Sequence, residues 1–285
     1  MALYNTHMTG DELRLVDYTI SALAHREQTK VWSVIVTIFG DLTKNQGDEI
    51  SGPLLSMIME KIGIRPEAMR VAIHRLRKDN WIESRKEGRV SQYRLSAKGY
   101  AESEAARPRI YASVQALDQN SGKDWHLLLQ EPGKDFGQRD PNQIEIVPNT
   151  FLGTGLAKQT PSGAFVIQFT DLNAPEWVKQ KILPNALLSA YEQFQLSLTK
   201  ISEKLLSQSQ PNRLEAAIIR ILIIHNWRRL LLRHPEAADA FFPDSWAGRE
   251  CRKLVTSILA KLPENNLDAL SRELETSQKP TVRKL

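Results

Sequence analysis

Residues 65–79 read Arg65-Pro66-Glu67-Ala68-Met69-Arg70-Val71-Ala72-Ile73-His74-Arg75-Leu76-Arg77-Lys78-Asp79, and their periodicity decides the fold around them. Met69, Ala72, Ile73 and Leu76 recur at i, i+3, i+4, i+7, the spacing of one face of a helix over 66–79. The same rotation puts Glu67, Arg70, Val71, His74, Arg75 and Lys78 on or near the opposite face. A helix fixed by one stripe and basic on the other suits the major groove of DNA. Upstream, Ile50-Ser51-Gly52-Pro53-Leu54-Leu55 starts like a helix, because Ser51 can cap free N–H groups and Pro53 sits where its missing donor costs little. Gly63 ends that helix and Ile64 anchors the turn. Downstream, Trp81-Ile82-Glu83-Ser84-Arg85-Lys86 and Arg89-Val90-Ser91-Gln92-Tyr93-Arg94-Leu95 flank Glu87-Gly88, which predicts a two-stranded ribbon turning at Gly88. Helix, turn, basic helix and charged ribbon are the parts of a winged helix-turn-helix.

Charge follows the same segment. Residues 65–98 hold ten Lys/Arg against four acids, a balance of +6, while the whole chain is only +5. A basic patch confined to one structural unit is the electrostatic footprint of phosphate contact. The candidate DNA-binding residues are Arg65, Arg70, His74, Arg75 and Lys78 on the helix and Arg85, Lys86 and Arg89 on the ribbon. Arg70, His74 and Arg75 are expected at base edges or adjacent phosphates, and Arg85 and Arg89 at the backbone. The competing reading is a merely solvated basic face, or a winged helix that binds protein.

At 285 residues the chain has room for two domains or three small ones, and 41% hydrophobic with 25% charged residues is an ordinary globular composition. No stretch approaches the ~20 apolar residues needed to span a bilayer. The first 30 residues have no apolar core of a signal peptide. Cys251 is the single cysteine, so no internal disulfide can form and a reducing, cytoplasmic setting is expected. Beside Arg252 on an amphipathic helix, Cys251 reads as packing. The six histidines (His7, His25, His74, His126, His225, His234) make no ligand-spaced pair, so no metal is expected. Strand-end acids are sparse: Asp118 and Asp124 flank a turn and Glu145 is isolated. With no Gly-rich phosphate loop either, no enzyme and no cofactor are expected.

The fold class expected is α+β. Residues 1–28 read as an arm with a short helix around 10–25, and 29–106 as the DNA-binding domain. Its first helix, 29–46, buries Trp32, Ile35 or Val36, and Phe39, and a helix from Ser96 onward stops at Pro108. In 107–206, Ile110-Tyr111-Ala112 and the segments 125–130, 143–147 and 164–169 read as four short strands. Turns at 120–122, 132–134 and 161–163 separate them, and helices over 175–183 and 184–206 follow. Residues 207–285 read as helical, with a strongly apolar helix over 213–233 and shorter ones over 235–242, 246–262 and 266–275, then a polar tail at 278–285.

Three blocks resemble the PaaX-like repressors, which control bacterial phenylacetate catabolism. They are Val34-Ile35-Val36-Thr37-Ile38-Phe39-Gly40-Asp41; Arg70-Val71-Ala72-Ile73-His74-Arg75-Leu76 with Tyr93-Arg94-Leu95-Ser96-Ala97-Lys98-Gly99; and Ile224-His225-Asn226-Trp227-Arg228-Arg229 running through His234-Pro235 and Phe242-Pro243-Asp244-Ser245-Trp246-Ala247-Gly248 into Arg252. The resemblance implies an N-terminal winged helix, a central ferredoxin-like (Cas2-like) domain and a C-terminal helical domain. It also implies a dimer released from DNA by phenylacetyl-coenzyme A; a homodimer is expected to bind a two-fold operator. The chain departs from the family at 134–141, where a more helical segment is expected, so another acyl-coenzyme A remains open. Candidate effector-binding residues are Arg109, Trp125, His225, Asn226, Arg228 and Arg229. Arg107, Arg233, Trp177 and Trp227 are further cations and rings of the same kind, and a plainer reading keeps His225 in the core and pairs the arginines with Glu236 or Asp239. Arg220, inside an apolar run, reads as a buried ion pair or a helix-edge charge. The alternatives are a DNA-binding or scaffolding dimer without effector, and a Cas2-like nuclease.

Overall fold

Ser51 does what its position suggests: its Oγ accepts the Leu54 N–H at 3.3 Å, and a helix (α3, Gly52–Lys61) begins with Pro53 in its first turn. In the computed structural model the described residues are 13–24, 30–114, 124–133, 143–155, 163–170, 173–233, 242, 245–263 and 266–278. In order they form α1 (Leu15–Leu23), α2 (Val31–Leu42), β1 (Ile50–Ser51), α3, α4 (Pro66–Lys78), β2 (Ile82–Glu87), β3 (Val90–Leu95) and α5 (Ala97–Tyr111). There follow β4 (Trp125–Leu129), β5 (Gln143–Val147), β6 (Thr150–Thr154), β7 (Phe165–Phe169), α6 (Glu176–Ile182), α7 (Asn185–Ser207), α8 (Arg213–Leu231), α9 (Ala247–Lys261) and α10 (Leu267–Gln278). The mixture of helices and two small antiparallel sheets is α+β. No described helix is long and apolar enough to cross a membrane.

Contacts group the described chain into two compact units that do not follow four consecutive segments. The first draws on Met1–Tyr111, Ser197–Asn226 and Ser257–Leu285, the second on Ala112–Leu196 and Trp227–Thr256.

In the first unit Ile35, Ile38, Phe39, Leu54, Leu55, Ile58 and Met59 are fully buried. Their helices pack around α4, which buries Met69, Ala72, Ile73 and Leu76 as the periodicity requires. The small sheet runs β1-β3-β2. Glu87 pairs with Val90, which leaves Gly88 and Arg89 as a two-residue loop, and Gly88 takes φ 61, a conformation such hairpins assign to Gly. Gly99 is fixed by space: a Cβ there would lie 2.1 Å from the Trp81 carbonyl oxygen.

In the second unit four antiparallel strands run in the order β5-β6-β4-β7. Trp125, Ile144 and Leu152 from the sheet pack with Val178 and Ile182 of α6. Tyr191 meets Trp227 edge-on at 6.2 Å and Trp246 at 5.2 Å between ring centroids. Cys251 is buried beside them, its Sγ 3.4 Å from the Tyr191 carbonyl, in a packing role.

Three expectations need correction. Pro108 does not stop α5, which continues to Tyr111, so Ile110-Tyr111-Ala112 is no strand. A proline inside a helix costs ~3 kcal/mol or more, but burial of Ile110 and the Tyr111 hydroxyl's hydrogen bond to Asp41 Oδ1 at 3.0 Å hold the last turn. The fourth strand is β6, which the sequence reading passed over; it follows β5 through Pro148-Asn149, with Asn149 at φ 63. Finally, α2 has no single apolar stripe: every residue from Ser33 to Phe39 is buried, and Trp32 is only half-buried. Several expectations lie outside the described residues: the arm before residue 13, His7, His25, Asp118, the turn at 120–122, the departing segment 134–141, Pro161-Ser162, His234 with the helix over 235–241 (including Glu236 and Asp239), and the tail beyond 278.

Candidate nucleic-acid interface

Helix α4 is set up to end in positive charge. Pro66 starts it, Glu67 lies in the first turn, and Arg75, Arg77 and Lys78 lie in the last, where cations complement the helix dipole. With roughly 100° per residue and His74 as the centre, Glu67, Arg70, Val71, Arg77 and Lys78 all fall within roughly 60° of it. All are exposed. Arg75 lies on the flank instead, its guanidinium 5.4 Å from the Trp32 ring centroid and 3.5 Å from Asp79.

The ribbon carries its charges in two ways. The Arg85 Nε and Nη2 both donate to Glu49, with contacts of 2.6–2.9 Å, and Nη2 reaches Glu87 at 3.3 Å. Hydrogen bonding from Arg85 holds the Glu49 carboxyl below the usual carboxylate range. Arg94 is likewise paired across the strands with Glu83 at 2.8 Å. By contrast, Arg65, Arg77, Lys78, Lys86 and Arg89 are exposed and make no ion pair among the described residues. Arg70 has only a 3.9 Å approach to Glu67. His74, Arg77 and Lys78 with Asn80, Ile82, Glu83 and Ser84 line an open depression of about 800 Å³ between the end of α4 and β2.

The sequence reading undervalued two residues on this face. Arg77 entered the charge count but not the candidate set, although the helical wheel places it as near His74 as Val71. Val71 is 72% exposed, an unusual position for a valine, and its apolar surface stands among cations. The rotation angle is the signal for both.

The candidate effector residues are distributed differently. Arg109, His225 and Asn226 belong to the first unit; Trp125, Arg228 and Arg229 belong to the second. His225 is buried with Nδ1 3.2 Å from Thr37 Oγ1, and the Asn226 amide donates to the carbonyls of Leu23 and Leu222 at 3.1 and 2.9 Å. Trp125 lies in the sheet core. Arg109 is half-buried in the last turn of α5. Arg228 and Arg229 are half-buried on α8, and burial together with the neighbouring Arg233 lowers the pKa of Arg229. Trp227 is fully buried with Arg252 stacked 4.9 Å from its ring centroid, whereas Trp177 is exposed. Arg220 forms a buried ion pair with Asp41.

Two family models match the chain: the PaaX-like protein model over residues 30–99 and the PaaX-like protein C-terminal domain model over 184–271. The first covers α2 to the start of α5, including the whole basic face; the second covers α7, α8, α9 and part of α10. Among curated proteins, the transcriptional repressor PaaX of Escherichia coli (strain K12) is 26% identical over an alignment of 273 positions that covers 86% of this chain and 84% of that one.

Proposed function

The chain belongs to the PaaX-like family, and on that footing we propose that it is a transcriptional repressor that reads its operator with α4 and steadies itself with the β2–β3 ribbon, the two making a winged helix-turn-helix. The observation that carries this is the exposed arc of α4, where Arg70, Val71, His74, Arg77 and Lys78 stand clear of the core. Arg70, His74 and Arg77 donate to base edges, and Val71 meets a thymine methyl group, the one apolar feature of the major groove. Arg65, Lys78, Lys86 and Arg89 neutralise phosphates. Arg85 orients the ribbon through Glu49 and adds its remaining donors to the backbone, as Arg75 does from the flank.

The segments beyond it sense and dimerise. The sheet within 107–206 is the core of a ferredoxin-like domain, a reading supported by the strand order, in which the first and third strands of the sheet are neighbours at its centre. The helices of 207–285, divided between the two units, serve effector binding and dimerisation. The regulated genes are a phenylacetate-type catabolic operon, and an acyl-coenzyme A such as phenylacetyl-coenzyme A releases the repressor by binding its free and DNA-bound forms unequally. Arg228 and Arg229, both in the second unit, supply cations for such a ligand's phosphates.

Footprinting of the full chain on its own promoter region tests this. Two protected half-sites about one or two helical turns apart are expected from a homodimer. Addition of phenylacetyl-coenzyme A, but not coenzyme A alone, shifts the binding curve to higher protein concentration. No protected site overturns the repressor reading; protection that no acyl-coenzyme A shifts overturns the effector reading and favours the dimer without ligand.

A further inference from the structure

A second cavity, of about 350 Å³, lies wholly within the first unit and is lined by Asp41, Lys44, Arg107, Tyr111, Arg220, Leu259, Ala260 and Leu262. Its volume is at the lower end of the range of roughly 300–1,000 Å³ that small-molecule sites occupy. Its floor is an ordered polar cluster. Asp41 accepts from Arg220 Nη2 at 2.9 Å, from Arg220 Nε at 3.3 Å and from the Tyr111 hydroxyl at 3.0 Å. Arg220 Nη1 donates to the Leu259 carbonyl at 3.2 Å. Burial first, and the Asp41 carboxylate second, push the Tyr111 hydroxyl far above its ordinary range, so it remains a donor at any working pH.

The cluster leaves donors over. A guanidinium has five N–H groups. Arg220 commits three of them to Asp41 and Leu259. Arg107 commits Nε to Glu104 at 2.7 Å and one Nη2 N–H to the Thr43 carbonyl at 3.2 Å, and its guanidinium lies 5.9 Å from the Tyr111 ring centroid. Among the described residues, two N–H groups of Arg220 and three of Arg107 therefore have no acceptor, in a cavity where three lining side chains are cationic and one is acidic. Leu259, Leu262 and Ala260 supply an apolar wall opposite in character to the arginines.

We propose that this cavity binds a small organic monoanion, a carboxylate joined to a compact apolar body, with the carboxylate on Arg107 and Arg220 and the body against Leu259 and Leu262. Donors in excess call for an acceptor-rich group, and planar guanidinium forks match carboxylate geometry. The apolar wall and the modest volume set the rest of the ligand. The site uses α2, α5 and the first-unit parts of α8 and α9, and none of the α4 face, so it stands independently of the DNA reading.

The test is calorimetric titration of the full chain with benzoate, benzyl alcohol and inorganic phosphate as probes. Benzoate gives one saturable isotherm and benzyl alcohol gives none. Arg107→Gln, a half-exposed position, weakens benzoate about tenfold or more by removing charge-assisted hydrogen bonds. Ala260→Trp, on the exposed rim, blocks the cavity without touching the ion pair and abolishes binding while the thermal melt stays cooperative. No saturable benzoate binding, binding equal in both variants and wild type, or binding of phosphate without benzoate each overturns the proposal. Operator affinity measured with and without benzoate keeps the two readings separate: binding with unchanged operator affinity supports the cavity and counts against benzoate as an effector.

Discussion

Helices α4 and α8 present opposite patterns of burial. In α4 four residues are buried and the remaining arc points to solvent with its cations. In α8 every residue from Ala216 to Asn226 is buried except Arg220, which is mostly covered and spends its charge on Asp41. A helix apolar on all sides belongs to the core, and one with a single stripe is free to present the other face. The two therefore should separate stability from recognition: substitutions in the buried Ala216–Asn226 stretch of α8 should unfold the chain, and substitutions on the α4 arc should, on the proposed reading, change binding in a folded protein.

The largest effect is expected at Arg220. Removing one member of a buried pair leaves an uncompensated charge, so Arg220→Ala should cost about 3–5 kcal/mol in denaturant unfolding. Replacing both partners, Arg220→Met with Asp41→Leu, should recover most of that loss. A cost below about 1 kcal/mol for the single change would mean that the pair behaves as a surface contact, and the contrast between the helices would weaken.

On α4 the effects are smaller and of another kind. Arg77→Ala should weaken operator binding by about 1–3 kcal/mol and relax preference at one base position, with unfolding unchanged. Arg75→Ala, removed from the arc and stacked near Trp32, should lose less on specific DNA than Arg77→Ala does. Equal losses for the two would return Arg75 to the base-reading set.

How much of this was legible in sequence follows the range of the interactions. The α4 stripe, the Ser51 cap and the Gly88 turn are set by neighbours within four residues, and each was read correctly. The sheet of the second unit depends on pairing between β4 and β6, such as Leu127 opposite Leu152, and no local pattern specifies that. Hence the strand at Thr150–Thr154, interrupted by Gly153, went unread. Tyr111 looks like strand in sequence because its helix is held past Pro108 by Asp41, 70 positions away. At the interface, Lys86 and Arg89 look like Arg85 in sequence, and only the structure separates the paired arginine from the exposed cations.

Two finer predictions sharpen the recognition side. Val71→Ala should cost under about 1.5 kcal/mol against an operator with its native thymines, the scale of one or two methyl groups removed from an apolar contact. Replacing a thymine at the contacted position by deoxyuridine should abolish the difference between the two proteins. A Val71→Ala effect that persists on deoxyuridine DNA rules out the methyl contact. The smallest effect concerns Glu49: its carboxyl is held low in the folded chain, so the tie to Arg85 is fully present above the ordinary glutamate range and is lost as pH falls through the depressed value. Glu49→Gln should therefore flatten a small acid-side loss in melting temperature, and an identical acid limb in variant and wild type would remove Glu49 from that account.

The central claim, that the α4 arc and the ribbon contact phosphate and base, is tested most directly by the salt dependence of operator binding. The slope of log affinity against log salt should fall by about one for Arg89→Ala and again for Lys78→Ala. Arg213→Ala, at the exposed start of α8, should leave it unchanged. A slope that moves with Arg213 and ignores Lys78 and Arg89 would contradict the account and place the DNA on another face.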